Sequence, residues 1–141
     1  MRTIEMRRDW ELVLNDTALT DDGLKAIVKL KQLSSLYIGG TKVTDAGLKE
    51  LATLMNLRRL VLADTAVTDT GVKELVALPQ LEELYLQRTK VSDRGVPDLI
   101  KLTRLRTLDL YGCSAVTSDG CVMIWEALPN CRFPDYPYSS P

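Results

Sequence analysis

The side chains of this chain best suited to non-covalent chemistry recur on a fixed interval. Tyr37, Val61, Tyr85 and Asp109 stand 24 residues apart, Arg59 and Glu83 precede two of them by two positions, and Arg88 and Tyr111 follow shortly after. Aromatic rings beside an arginine dominate the energetics of protein contacts, because they bury much area at a small entropic loss. Covalent and metal chemistry has far less to work with. The chain contains no histidine, which excludes His-based triads and histidine metal ligation. Asp45, Asp69 and Asp93 recur on the same interval of 24 residues. That spacing stacks one carboxylate per repeat along an outer edge; it does not pair two across a cleft for acid–base work. Helix capping is the plain use of this column, and a repeated calcium site is the alternative. Cys113, Cys121 and Cys131 are odd in number and lack the paired spacing of a metal site, so they read as small core residues, with a redox or metal role as the alternative. No cofactor is expected.

The interval itself dictates the elements that carry these residues. Leu36–Leu48 returns nearly unchanged as Leu60–Val72 and again as Leu84–Val96, with a weaker first copy from Asp9 and a stretched last copy from Leu105. Self-similarity at such a period means a solenoid in which each unit buries its apolar face against its neighbours. Within a unit, the alternation Leu57, Leu60, Leu62 predicts a short strand with one buried face. Thr68 and Asp69 then open a helix, the first as N-cap and the second as a negative charge at the positive helix end. Val72, Leu75 and Val76 follow helical spacing, and Leu78–Pro79 ends the helix before the next strand. Strands joined by helical crossovers on one side must run parallel. Their outward face carries Val13, Tyr37, Val61, Tyr85 and Asp109 as one column, flanked by Arg59 and Glu83 on one side and by Gln87 and Tyr111 on the other. Cross-strand packing alone would also explain Tyr and Val there.

Two further columns have structural meaning. Thr17, Thr41, Thr65 and Thr89, then Cys113, follow each strand where the chain turns away, and are expected to form a hydrogen-bonded ladder with the backbone of their own and neighbouring turns. Gly23, Gly47, Gly71, Gly95 and Gly120 stand in a first helical turn, where glycine is unfavourable; close approach of neighbouring helices is the expected reason. Pro97 lies too deep in the fourth helix for a normal helical turn, predicting a short or 3₁₀ element.

The pattern L-x-x-L-x-L-x-x-T-x-V-T-D-x-G-L-K-x-L resembles the leucine-rich-repeat family, and within it the 24-residue bacterial, GALA-like form. The last copy, from Leu108 to Cys131, is similar to the cysteine-containing class found beside F-boxes. Thr stands where the family usually has Asn or Cys. The resemblance implies an α/β fold: a leucine-rich-repeat solenoid shaped as a right-handed arc or horseshoe, with a parallel sheet on the concave face and helices on the convex face. It also implies binding of protein partners on that sheet.

At 141 residues, 45% apolar and 26% charged, the chain reads as one soluble domain spanning 1–141, with a net charge of −1 that gives no strong pull toward nucleic acid or an anionic membrane. No apolar run reaches membrane-spanning or signal-peptide length, so a cytoplasmic location is expected. Residues 1–8 are an N-terminal edge or cap, 9–131 hold about five repeats, and 132–141 form a C-terminal cap with a Pro- and Tyr-rich tail, a docking peptide being the alternative for that tail. The expected function is a non-enzymatic protein–protein interaction module. Its partner-binding residues are Tyr37, Arg59, Val61, Glu83, Tyr85, Arg88, Asp109 and Tyr111. A structural or assembly subunit self-associating through its terminal repeats, by the N-terminal edge strand or the C-terminal repeat, and the substrate-recognition part of a ubiquitin-ligase-like adaptor or effector, are the alternatives.

Overall fold

A computed structural model describes residues 10–134; the expectations for the N-terminal edge before Trp10 and for the tail after Pro134 lie outside them. Five strand–helix units follow one another: β1 (Trp10–Val13), α1 (Asp21–Ile27), β2 (Leu33–Tyr37), α2 (Asp45–Leu51), β3 (Arg59–Val61), α3 (Asp69–Leu75), β4 (Glu83–Tyr85), α4 (Val96–Leu99), β5 (Thr107–Asp109) and α5 (Ser118–Ala127). The strands form one parallel sheet in the order β1-β2-β3-β4-β5, paired as the repeat requires, with Tyr37 opposite Val61, Val61 opposite Tyr85 and Tyr85 opposite Asp109. Adjacent strands sit ~4.8 Å apart whereas packed helices need ~8–10 Å, so the sheet takes the inner side of the stack and the helices the outer side. The fold is the α/β solenoid that the repeat implied.

The core is a set of columns. Leu36, Leu60, Leu84 and Leu108 are fully buried along the strands, Ile38, Leu62, Leu86 and Leu110 follow two residues on, and Leu48, Val72 and Val96 close the core from the helices. Cys113, Cys121 and Cys131 are buried within the same core and are not disulfide-bonded. Pro97 has its expected effect: a 3₁₀ turn at Asp93–Gly95 precedes an α4 of only four residues. Among the described residues no helix is long and apolar enough to cross a membrane, and no group of acidic or cysteine side chains could hold a metal ion.

What joins one unit to the next on the helical side is the aspartate column. Asp45 at the start of α2 accepts from the Thr68 backbone N–H at 2.8 Å and from its hydroxyl at 2.5 Å, 23 residues away. Asp21 does the same to Thr44, Asp69 to Ser92 and Asp93 to Thr117. Each carboxylate therefore bridges into the helix start of the following repeat. The threonine or serine it grips turns its oxygen to its own helix as well at Thr68, Ser92 and Thr117, whereas Thr20 and Thr44 make no such cap bond.

The glycine column is the counterpart of these bridges. A Cβ at Gly47, Gly71, Gly95 or Gly120 would lie 2.2–2.6 Å from the Oδ1 of the aspartate in the preceding repeat. The neighbouring helices do approach closely, as expected, and the nearest group at all four positions is the carboxylate, with a methyl of Leu24 or Leu48 also within 2.8 Å at Gly47 and Gly71. Gly23 has no such carboxylate before it among the described residues, and a Cβ there would meet Leu19.

The threonine column works more locally than expected. Thr41, Thr65 and Thr89 are buried and donate to the carbonyls of Ile38, Leu62 and Leu86, each three residues back in its own turn. Thr17 makes the same bond but is exposed. Only at the far end does the column link turns, where the Cys113 thiol donates to the Leu86 carbonyl and lies 3.5 Å from the Thr89 hydroxyl.

Three stability measurements test these readings. Asp45→Ala removes both bonds to Thr68 and is expected to cost about 2–3 kcal/mol in a denaturant titration. Gly71→Ala alone is expected to cost about 1–3 kcal/mol through the clash, but much less in the Asp45→Ala background, a coupling of at least ~1 kcal/mol. Strict additivity would refute the claim that the carboxylate requires the glycine. Thr65→Val should cost ~1–3 kcal/mol by leaving the Leu62 carbonyl without its donor, and a loss below ~0.5 kcal/mol would remove the threonine column from the stabilising set.

Candidate functional site

Strands β2, β3 and β4 bring Tyr37, Arg59, Val61, Glu83 and Tyr85 together on the inner face. Arg59 donates through Nη1 to the Tyr37 hydroxyl at 2.8 Å and through Nε to Glu83 Oε2 at 2.6 Å, with Nη2 also 2.6 Å from that oxygen. The Tyr85 hydroxyl donates to the other Glu83 oxygen at 3.1 Å. The expected apolar line with charges beside it is thus one polar network, Tyr37–Arg59–Glu83–Tyr85, spanning three strands. All four side chains are half-buried, and Val61 fills the space between the two rings in the register. Ser35, one strand earlier in the Arg59 column, is buried.

The electrostatics follow from these bonds. The Arg59 guanidinium is held well above its ordinary value, first by its bond to Tyr37 and then by Glu83. Burial raises the Tyr85 phenol, with the bond to Glu83 adding to it. The folded chain therefore keeps the Tyr85 proton more tightly than the unfolded chain does. This contribution to stability is complete below the ordinary value of 10.0 and fades as pH climbs above it.

A second cluster lies where the chain leaves the sheet. Asp16, Gly40, Asp64, Arg88 and Gly112, again one per repeat, all have positive φ, between 54° and 75°. Glycine and aspartate tolerate this conformation, whereas arginine does so at a steric cost. Arg88 reaches back to Asp64 with both Nε and Nη2, at 2.6 and 2.7 Å. Its guanidinium holds the Asp64 carboxyl below the usual carboxylate range. Tyr111 is about half exposed beside it, at 49%.

Asp109 requires a correction. Expected on the partner-binding face, it is only 3% exposed: it accepts from the Tyr111 backbone N–H at 2.9 Å and from Gln87 Nε2 at 2.9 Å. A carboxylate held by its own neighbours positions Gln87 and Tyr111 and offers little surface of its own. Gln87, absent from the expected set, lines a cavity of about 430 Å³ with Arg88, Asp109 and Tyr111, and its Oε1 is buried without a hydrogen-bond donor among the described residues. Its place in the outward column after the tyrosines was the available signal. The remaining expected residues fall into two groups, Tyr37, Arg59, Val61, Glu83 and Tyr85 in the sheet centre and Arg88 with Tyr111 at the turn. The Cys131 thiol is pushed up to about 11 by burial, which keeps it protonated and unreactive at neutral pH.

A family model described as "Leucine Rich repeat" matches residues 11–28 and 53–76. Among solved structures, an internalin (inlF) from Listeria monocytogenes superimposes with a TM-score of 0.56 at 23% sequence identity, covering 82% of this chain and 38% of that one. The chain thus spans well under half of that internalin. No curated protein matches the chain.

The turn geometry gives a test. Arg88→Gly relieves the strained backbone and loses the half-exposed pair with Asp64, effects that are small and opposite in sign. The melting temperature is expected to stay within about 3 °C of the parent. A fall beyond about 8 °C would mean that the ion pair outweighs the backbone.

Proposed function

We propose that this chain, a member of the leucine-rich-repeat family, is a non-enzymatic protein–protein interaction module that binds a partner through its inner sheet face. Tyr37, Val61, Tyr85 and Tyr111 are the anchors, and Arg59, Glu83 and Arg88 set specificity. The observation that carries this reading is the Tyr37–Arg59–Glu83–Tyr85 network. It fixes two aromatic rings and an arginine in place before any partner arrives, so that little side-chain entropy remains to be lost on binding. Half-buried rings whose hydroxyls are already bonded have mainly apolar surface left to offer a partner, the chemistry of a contact hot spot.

Self-association through β1 is the second reading. It is favoured by the position of β1 at the sheet edge and by the exposure of Trp10 and Val13 there, at 45% and 57%. The other edge is already occupied: Arg132 pairs beside β5, donating to the Arg106 carbonyl at 2.7 Å and accepting from the Leu108 N–H at 2.9 Å. A strand left at an edge is a template for a further strand.

Capture from lysate of the source organism, comparing the natural chain with Tyr37→Ser/Tyr85→Ser at matched thermal stability, separates the readings. The module reading expects a protein retained by the first and lost by the second. Equal retention by both would move the binding site off the sheet. A mass in solution that doubles with concentration and reverts on Val13→Lys would favour self-association.

A further inference from the structure

The inner face accounts for Arg59 and Arg88 but leaves a second group of arginines unexplained. Below the N-terminal ends of β4 and β5 lies a cleft of about 580 Å³ whose polar lining is Arg104, Arg106, Arg132, Thr103, Asn130 and Glu82. The arginines are exposed, and among the described residues none of the three forms an ion pair or a side-chain hydrogen bond. Their convergence is fixed by the backbone. Arg106 donates its N–H to the Glu82 carbonyl at 2.7 Å, and Arg132 donates to the Arg106 carbonyl at 2.7 Å, so the two start from consecutive rungs. Arg104 lies two residues before Arg106, in the turn leading into the strand.

Rungs of a parallel ladder are ~4.8 Å apart, so the backbones of Arg106 and Arg132 are neighbours, and Glu82, the one carboxylate among the described lining residues, cannot neutralise three guanidiniums. The surplus is local, since the whole chain carries a net charge of −1. Guanidinium forks grip carboxylates two bonds at a time, and the Thr103 hydroxyl and Asn130 amide supply neutral donors beside them. A single small anion would fill only a fraction of the volume. We propose that this cleft binds an acidic segment of a protein partner, with successive carboxylates paired to Arg104, Arg106 and Arg132. It is a second contact surface, at the outer end of the sheet, independent of the tyrosine network.

Fluorescence anisotropy with fluorescein-labelled hexaglutamate at about 20 mM salt tests it. Saturable binding is expected, weakened about tenfold or more by Arg106→Gln/Arg132→Gln and by Arg104→Gln/Arg132→Gln, both with unchanged melting temperature. Tyr37→Ser/Tyr85→Ser should bind the probe as the parent does; loss of binding there would overturn the assignment by placing the peptide on the inner face. Displacement of the probe by inorganic phosphate at equal total charge would reduce the cleft to a general anion site and overturn the peptide reading. Tighter binding of a labelled oligouridylate than of hexaglutamate would overturn it in favour of nucleic acid. No binding of any probe would overturn it outright.

Discussion

The structure depends on a single repeated contact: an aspartate at the start of each helix reaching the backbone and hydroxyl of the threonine or serine that starts the next. Apolar columns hold the repeats together without fixing their register, because one leucine packs against another over a range of shifts. The aspartate bonds are directional and charge-assisted, at 2.5 to 2.8 Å. They set how far each helix slides along its neighbour, and with that the pairing of the strands on the opposite side. The glycine beside each bridge is a consequence. A glycine near a helix start sacrifices stability, and here the space it leaves is filled by the carboxylate.

Because the strands are pinned in this way, side chains from three different repeats meet on the inner sheet with usable geometry. Arg59 can satisfy Tyr37 and Glu83 together only because β2, β3 and β4 are held in strict register. A slip of one residue would send every side chain of a strand to the other face. The interaction network is thus built on the helical side and displayed on the sheet side, and a substitution at Asp45 would be felt at Tyr37 without touching it.

The period in the sequence made strands, helices, core columns and the irregular fourth helix legible, because apolar alternation and helical spacing are local signals. Contacts between unlike positions were not legible. A periodic reading compares each residue with its own column, whereas Asp45 bonds Thr68, one residue short of a full period, and therefore belongs to a relation between columns. The positive-φ column escaped for a similar reason: Asp16, Gly40, Asp64, Arg88 and Gly112 differ in chemistry while sharing a conformation. Asp109 was misplaced because strand alternation says which side a residue faces and is silent about what covers it there. The two tyrosines were identified as exposed hydrophobes, although their hydroxyls, which reach across strands, decide what they do.

The aspartate bridge also makes each repeat a part with two unlike ends, a carboxylate that is given and a threonine or serine with a glycine that receives. Insertion or excision of one whole unit anywhere between Asp21 and Thr117 leaves every giver with a receiver. Ser118 occupies the giving position in the last repeat, so no carboxylate is passed on from there. A gene for such a chain can lengthen or shorten by recombination between its own copies, with the inner face redrawn each time and the joints left intact.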